Sequence, residues 1–489
     1  MTRGRRRVGS RPAATAGGVV AGRHRRDAAH PVDVPTRKVA PVVAASGARR
    51  APAPEITYKP RRYLLLVPLA LLGVWSALAH ARLLAEAHHT PVVALAVWGV
   101  TLATVAAQIV LSWMGRPYIC DEPPGLRCAV VIPAFNEDLA YLRRVLDSLR
   151  VQSRKADVII VVDDGSTKVD YTPLIALYPE VTFTRVDPNQ GKKHAQVTGW
   201  DLDVDADVVC TIDSDSALDR HALGEALRPF TDERVAGVAG VEWAWNFDRN
   251  LLTRAIGARS VAFQLFAMSS QSAARGNVLI APGAFSLFRA DVLREGAAAY
   301  LGETFCGMPV ILGDDTMLTL QALMRGRVVQ QPTAVAFPAY PETLSHHLRQ
   351  WIRWMRASTI RQIWRLRYLP IASYGWWFSM WQVGAFTAGI ALTFYIPIAW
   401  PSTERLLGAI VIGIVVWPLV LSARLLCLTR SDQSAWSLAY GVALMPFAAL
   451  WYLLVLRWLR FYGIATIAHQ GWVTRIKQIE VKLRDSAAG

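Results

Sequence analysis

Two long apolar stretches early in the chain, roughly residues 63–84 and 91–114, restrict its fold more than any other feature. Each is about as long as an α-helix that crosses the hydrocarbon core of a bilayer, roughly 20 residues. The short turn between them contains no Lys or Arg, whereas Arg62 and Arg116 flank the pair. The positive-inside rule then predicts a helical hairpin, residues 63–115, with both of its ends in the cytoplasm.

The formal net charge is +16, but most of the excess lies in the first 62 residues, which contain fifteen Lys or Arg and three Asp or Glu. This segment (1–62) is rich in Ala, Pro and Gly and has no hydrophobic period, so we expect a disordered cytoplasmic tail that contacts anionic lipid. No nucleic-acid partner is expected, because the basic excess is confined to this tail. The five cysteines show no paired spacing, which is typical of a reducing compartment.

From residue 126 to residue 342 the sequence changes to short β-branched runs separated by helical patterns, as in a soluble α/β domain. Strands that alternate with helices predict a mainly parallel, Rossmann-like sheet covered on both faces. In such sheets ligands bind beyond the carboxyl ends of the strands. The predicted strands are residues 128–133, 158–163, 181–186, 208–213 and 235–241.

The rest of the chain returns to a membrane-like composition. Residues 343–370 interleave Arg with Trp, Leu and Ile, which predicts an amphipathic helix in the plane of the lipid headgroups. Residues 371–470 contain three further apolar stretches and form a C-terminal transmembrane region, followed by a basic cytoplasmic tail, residues 471–489. Three crossings would put that tail outside, so either one stretch is re-entrant or Pro446 splits the last one into a shallow hairpin.

Acidic clusters follow the predicted strands and carry the chemistry. Asp213 and Asp215 suit Mg²⁺ or Mn²⁺, hard cations that prefer carboxylate ligands and stabilise a diphosphate leaving group. Asp164, at the neighbouring strand end, can accept a hydrogen bond from the imide of uracil. Asp315 is the candidate general base, with Asp314 in support. Three cationic side chains are candidates for stabilising the diphosphate: Lys192, Lys193 and Arg353.

The amphipathic segment contains a Q-x-x-R-W pattern formed by Gln350, Arg353 and Trp354. The indole of Trp354 offers a flat apolar face for an acceptor sugar, and the other two side chains supply hydrogen bonds. His346 and His347 precede the pattern, and we expect both to face lipid headgroups or solvent.

Taken in order, these motifs resemble the processive family 2 glycosyltransferases, the group of hyaluronan, chitin-oligosaccharide, cellulose and poly-N-acetylglucosamine synthases. The resemblance covers residues 126–370 and rests on the segments VIPAFNE, DDGS, GKKHAQ, DSDS, GDD and QWIRW. It implies a GT-A fold for residues 126–342, inversion at the anomeric carbon, UDP-sugar donors and export of the polymer through the protein's own membrane channel. Thr316 stands where the nearest relatives tend to have Arg, and Pro282-Gly283 reverses their Gly-Pro turn.

By motif position, the resemblance also implies a role for each site residue. The nucleotide-sugar contacts would be Pro133, Asn136, Glu137, Asp164, Lys193 and Asp213. The metal ligands and catalytic carboxylates would be Asp213 and Asp215, and Asp315 with Asp314. The acceptor and pyrophosphate cradle would be Gln350, Arg353 and Trp354.

The sequence therefore predicts a multi-pass plasma-membrane hexosyltransferase with a cytoplasmic catalytic domain. Its donor would be UDP-GlcNAc, alone or alternating with UDP-GlcA as in hyaluronan, and its partners the growing polysaccharide and the bilayer. Two alternatives remain open. One is a non-processive enzyme that adds a single sugar to a lipid acceptor, and the other is a membrane transporter or scaffold whose α/β domain only senses nucleotide.

Overall fold

The structure, a computed structural model, describes residues 54–59, 66–85, 92–399 and 403–470. Most of the predicted N-terminal tail (1–62) and all of the C-terminal tail (471–489) lie outside these residues. The strands are β1 (Ile56–Tyr58), β2 (Cys128–Ala134), β3 (Val158–Asp163), β4 (Thr182–Arg185), β5 (Val208–Thr211), β6 (Ala217–Leu218), β7 (Val235–Glu242), β8 (Ser286–Arg289), β9 (Thr304–Phe305), β10 (Met308–Pro309), β11 (Arg327–Phe337) and β12 (Leu428–Arg430).

An eight-stranded sheet with the order β4-β3-β2-β5-β8-β7-β11-β6 forms the centre of the α/β domain. All five predicted strands lie in it. β2 to β5, β7 and β11 run in one direction, whereas β8 is antiparallel to both of its neighbours and β6 to β11. The sheet is therefore mixed, and the prediction of a mainly parallel sheet is confirmed only in part. The sequence of β8, SLFR, contains no β-branched residue and so lacks the pattern from which the other strands are predicted.

Some of the helices cover both faces of this sheet, and the apolar ones lie outside the α/β domain. The helices are α1 (Leu66–Ala85), α2 (Val92–Met114), α3 (Leu139–Arg150), α4 (Thr172–Leu177), α5 (Lys192–Asp201), α6 (Ala222–Leu227), α7 (Leu251–Phe263), α8 (Ser269–Ala273), α9 (Ala290–Leu301), α10 (Asp314–Arg325), α11 (Leu344–Tyr368), α12 (Tyr374–Ala399), α13 (Thr403–Ser422), α14 (Ala435–Ala443), α15 (Met445–Trp451) and α16 (Leu459–Ala465). Leu142 and Leu146 of α3 pack on one face of β2, and Trp200 of α5 on the other. The strands between these layers are buried, which explains their continuous apolar runs.

The apolar helices lie outside this domain. Within the described residues, two helical segments are both long and apolar enough to cross a bilayer, Ile410–Cys427 and Ala435–Ala465. α1 and α2 occupy the predicted hairpin, although the turn that joins them is outside the described residues. α1 packs on α13, where a Cβ on Gly73 would lie 3.5 Å from Val420.

A two-stranded sheet joins the segment before α1 to the segment after α13. β1 pairs antiparallel with β12, and the N–H of Ile56 donates to Asp219 Oδ2 of the α/β domain at 2.8 Å. The expectation of disorder up to residue 62 is thus wrong for residues 56–58. The strand was not expected because its partner, which satisfies its backbone N–H and C=O groups, lies far away in the sequence.

Candidate active site

The carboxyl ends of the codirectional strands bring the predicted acidic residues to one edge of the sheet. β3 ends at Asp163, just before Asp164, and β5 ends two residues before Asp213. β7 ends at Glu242, a residue outside the predicted motifs. These side chains therefore meet where the topology of an α/β sheet places ligands.

Lys192, the first residue of α5, joins two of the acidic clusters. Its Nζ lies 2.7 Å from Asp213 Oδ1 and 2.7 Å from Asp314 Oδ2. Gly283 lies beside them: a Cβ built on it would be 3.4 Å from Lys192 Nζ, 3.5 Å from Asp213 Oδ2 and 3.7 Å from the Cβ of Asp315. The glycine thus leaves open a small space that is bounded by one ammonium and two carboxyl-bearing residues.

The pKa values of the two aspartates at the start of α10 are shifted in opposite directions. Burial disfavours ionisation of Asp314, but the ammonium of Lys192 outweighs this effect and lowers its pKa. Burial, together with the charge of Asp314, raises the pKa of Asp315 to about 6. A carboxylate with a pKa near the working pH is the better proton acceptor, so Asp315 suits the base and Asp314 the fixed charge.

The turn that carries these aspartates begins at Gly313, whose φ of 78° lies in the left-handed region. A Cβ at this position would lie 2.9 Å from Thr316 Oγ1 and 3.0 Å from the Cβ of Ala357. Both the backbone conformation and the close contact therefore require glycine. Since Ala357 belongs to α11, this helix packs directly against the turn.

A buried charge network fixes the segment that leads into the turn. The carboxylate of Glu303 is shared by Lys193, whose Nζ lies 2.6 Å from Oε2, and by Arg361, which contacts Oε1. The side chains of Glu303 and Arg361 are fully buried. The two cations also donate to successive carbonyl groups of the segment: Val310, Leu312 and Gly313. The predicted contact of Lys193 with nucleotide stays a prediction, since its ammonium is used here.

The predicted nucleotide side is held together by hydrogen bonds between loops. Asn136 Oδ1 accepts from the N–H groups of Thr167 and Lys168 at 3.0 and 2.9 Å. Glu137 Oε2 accepts from Ser214 Oγ at 2.7 Å, which ties the end of β2 to the Asp213 loop.

Two further residues predicted for this side are buried. Asp164 accepts from Asn189 Nδ2 and from the N–H of Gln190, both at 2.9 Å, and burial raises its pKa. Pro133 lies inside β2, opposite Val162 of β3.

The Q-x-x-R-W residues lie on α11, in the two helical turns before Ala357, the residue that contacts the Gly313 turn. Trp354 is 44% exposed and lies three residues before Ala357. Gln350 and Arg353 are half-buried on the preceding turn. The structure thus brings Asp213, Lys192, Asp314 and Asp315 together and places Trp354 on the adjoining helix.

Other charged residues of the site were not predicted. Glu303 and Arg361 stand alone in the sequence, without a motif around them. Glu242 faces the acidic edge: burial and the charges of Asp213, Asp315 and Asp215 raise its pKa to about 8. His347 is 3% exposed, so the expectation that it faces headgroups or solvent is wrong. The helix face that carries it is covered by α7 and by the segment after α15.

The donor set agrees with a divalent cation that is held partly by its substrate. Among the described residues, no group of three or more His, Cys, Asp and Glu side chains is placed to hold a metal ion alone. Asp213 and Asp215 provide two carboxylates at one strand end, and the open space at Gly283 adjoins the first of them. Mg²⁺ and Mn²⁺ commonly bind one or two carboxylates plus phosphate oxygens, so these residues fit.

Comparison with known proteins gives a consistent result. Residues 123–357 match the family described as "Glycosyltransferase like family 2". The chain is 30% identical over 393 residues to hyaluronan synthase of Streptococcus pyogenes, covering 78% of this chain and 91% of that protein. It is 27% identical over 357 residues to an N-acetylglucosaminyltransferase of Azorhizobium caulinodans, covering 71% and 87%.

Among solved structures, a mannosyltransferase of Pyrobaculum calidifontis in complex with GDP-Man and Mn²⁺ matches with a TM-score of 0.45. It is 21% identical, and the match covers 77% of this chain and 98% of that one.

Proposed function

The chain belongs to glycosyltransferase family 2 and is a hexosyltransferase, and from this premise we propose that it polymerises sugar from a UDP-sugar on the cytoplasmic face of the plasma membrane and exports the product. Its α/β domain has the GT-A fold, here with a mixed sheet. The observation that carries the proposal is the convergence of Asp213, Lys192 and Asp315 around the open space at Gly283. The relatives named above support UDP-GlcNAc as donor, alone or alternating with UDP-GlcA.

In the proposed reaction an acceptor hydroxyl attacks the anomeric carbon of the donor sugar. A new C–O bond forms, the bond from that carbon to the diphosphate oxygen breaks, and UDP leaves. The configuration at the anomeric carbon of the transferred sugar is inverted. The hydroxyl proton passes to the carboxylate of Asp315, whose raised pKa favours accepting it. The ammonium of Lys192, already placed between two carboxylates, stabilises the charge on the departing diphosphate.

A divalent cation, held by Asp213 and Asp215, would supply charge neutralisation for the diphosphate. Asp164, Asn136 and Glu137 line the nucleotide side, where Asp164 would accept from the uracil imide. We assign the diphosphate contact to Lys192 in preference to Lys193, because Lys192 borders the open space at Gly283, whereas the side chain of Lys193 is buried against Glu303.

The acceptor lies on α11 in this proposal. Trp354 presents nearly half of its surface to solvent and can stack on the apolar face of a sugar, while Gln350 and Arg353 hydrogen-bond to its hydroxyl groups. Because α11 packs against Gly313 at Ala357, the acceptor platform is joined directly to the turn that carries the base.

The membrane arrangement that we propose has four crossings, formed by α1, α2, α12 and α13. Gly375, at the start of α12, bonds through its N–H to Asn277 of the catalytic domain at 3.2 Å. Arg424, directly after α13, donates to the carbonyl of Leu265 at 3.0 Å. Both ends of this helix pair therefore lie on the cytoplasmic side.

The segment from α14 to α16 also has both ends against the catalytic side. Ser437 contacts Asp248 at its start, and Thr466 accepts from Arg356 Nε at 3.1 Å at its end. This supports the re-entrant alternative, which leaves the basic C-terminal tail in the cytoplasm.

A donor panel tests the function. Full-length protein in detergent, supplied with Mg²⁺ or Mn²⁺, is incubated with radiolabelled UDP-GlcNAc, UDP-GlcA, both together, or other UDP-sugars. The proposal expects release of UDP and a labelled polymer that organic solvent does not extract. A single extractable glycolipid would show the non-processive alternative, and undiminished incorporation by Asp315→Asn would contradict the catalytic site.

A further inference from the structure

Arg259, on α7, is a half-buried cation without a conventional partner. Its Cζ lies over the rings of Trp351, at 5.2 Å, and Tyr452, at 5.0 Å. No described residue accepts a hydrogen bond from its guanidinium or forms an ion pair with it. Cation–π contacts stabilise the charge but leave the N–H donors of the guanidinium available. Partial desolvation lowers the pKa of Arg259, so an anion bound beside it would stabilise the charged form.

His347 is a second polar group without a partner beside this cation. It is 3% exposed, and neither Nδ1 nor Nε2 has a hydrogen-bond partner. Burial, and then the charge of Arg259, lowers its pKa to about 4, so the ring is neutral at pH 7 and offers one N–H donor. A buried imidazole that leaves both nitrogens unbonded points to an absent ligand.

Aromatic rings connect this pair of groups to the acceptor platform. The ring of Trp351 lies 6.4 Å from His347 and 6.1 Å from Trp354. Tyr452 lies 6.0 Å from Trp351 on its other side. Trp351 is itself fixed, because its Nε1 donates to the carbonyl of Leu456 at 2.9 Å. The unpartnered donors thus lie one ring beyond the side chain proposed to stack on the acceptor sugar.

We propose that Arg259 and His347 form a binding site for the carboxylate of a uronic acid residue in the growing chain. A carboxylate can accept two parallel hydrogen bonds from a guanidinium and a third from the imidazole. The exposed rings of Trp354 and Tyr452 favour a sugar as the carrier of that carboxylate rather than a lipid headgroup. The inference rests on the proposed function and makes its product an acidic polysaccharide.

Binding of defined oligosaccharides tests the site. Full-length protein in phosphatidylcholine nanodiscs is titrated with a hexasaccharide of alternating glucuronate and N-acetylglucosamine, and with the same molecule after reduction of its carboxyl groups. We expect the acidic form to bind at least tenfold more tightly. Arg259→Gln removes this preference, and His347→Leu reduces it several-fold. Arg254→Gln, which deletes the same charge from the same helix, keeps it.

Several outcomes overturn the inference. Equal affinity of the unaltered protein for the two hexasaccharides does so even if the variants fail to fold. A preference that survives in Arg259→Gln, in protein that still binds UDP normally, also does so. Loss of the preference in nanodiscs that contain phosphatidylglycerol would instead assign the site to lipid phosphate. UDP release from UDP-sugars by the same preparation tests the proposed function separately, since a binding preference does not require turnover.

Discussion

The ammonium of Lys192 lies 2.7 Å from Oδ2 of Asp314 and so links the first turn of α5 to the first turn of α10. This contact keeps Asp314 ionised, and the retained negative charge helps to raise the pKa of its neighbour Asp315. One lysine thereby gives two adjacent aspartates different tasks. The same ammonium also bonds Asp213, so the nucleotide and acceptor sides of the site meet at a single nitrogen.

Replacing Lys192 by Met should lower kcat/KM for the UDP-sugar by about 10²- to 10³-fold, the usual effect of losing one group that stabilises developing charge. UDP release measures this. The control is Lys155→Met, which removes an exposed lysine of the same domain and should leave kcat/KM within about twofold. A K192M enzyme with near-normal kcat/KM would contradict the assignment of the diphosphate contact.

Asp315→Asn should reduce kcat by about 10²- to 10⁴-fold, the range for loss of a general base, while the Kd for UDP changes little. A matched control exists in Asp291→Asn. Asp291 lies in the first turn of α9 and, like Asp315, accepts from the N–H of the next residue, but it is exposed and remote from the cluster. Comparable losses in the two variants would show a structural effect and not a catalytic one.

The pH dependence of kcat should show an acid limb with a midpoint near 6. The pKa of Asp315 is raised to about 6, and only the ionised form accepts a proton. Activity is therefore present above this value and falls about tenfold per pH unit below it. In Lys192→Met the midpoint should move upward, because the direct attraction of the Lys192 ammonium, which lowers the pKa of Asp315, is gone. A flat profile between pH 5 and 7 would count against Asp315.

Gly283→Ala should fold normally, since the added Cβ meets no atom closer than 3.4 Å. It would nevertheless fill the space between Lys192, Asp213 and Asp315 that the proposal assigns to the cation and the diphosphate. We expect at least a tenfold weaker affinity for Mn²⁺ with UDP, measured by electron paramagnetic resonance. Gly384→Ala is the control, because a Cβ there meets nothing within 4 Å.

Glu303→Gln should destabilise the catalytic domain, because it leaves Lys193 and Arg361 buried without their shared anion. Breaking such a buried pair typically costs about 3–5 kcal/mol. Thermal unfolding in detergent should show a clearly lower Tm. Glu295→Gln, which removes an exposed ion pair with Arg325, should change Tm little.

The parts of the fold that the sequence predicted are those with local signals. The five predicted strands are β-branched runs that end in turns, and the acidic motifs mark the edge at which parallel strands end. The prediction does not include β8, because its sequence, SLFR, contains no β-branched residue. Its antiparallel direction depends on pairing with β5 and β7, which only the tertiary fold decides.

The site was predicted as a set of motifs and not as a network. Glu303 and Arg361 are 58 residues apart, and neither has neighbours that indicate a role. Arg361 also donates to Thr316 Oγ1 at 3.2 Å, so a guanidinium from α11 lies beside the position where related enzymes tend to carry Arg. Likewise, His347 was assigned to the exposed face because the sequence of α11 cannot show that α7 and the segment after α15 cover it.

The pairing of β1 with β12 has a consequence for biosynthesis. Glu55 and Ser431, which bond at this junction, are 376 residues apart. At typical translation rates, about 5–20 residues per second, α1 is made on the order of tens of seconds before the strand that precedes it has a partner. The catalytic domain must therefore emerge and fold while the N-terminal strand is still unpaired. A ribosome that stalls before residue 428 would leave that strand open to pairing with another nascent chain.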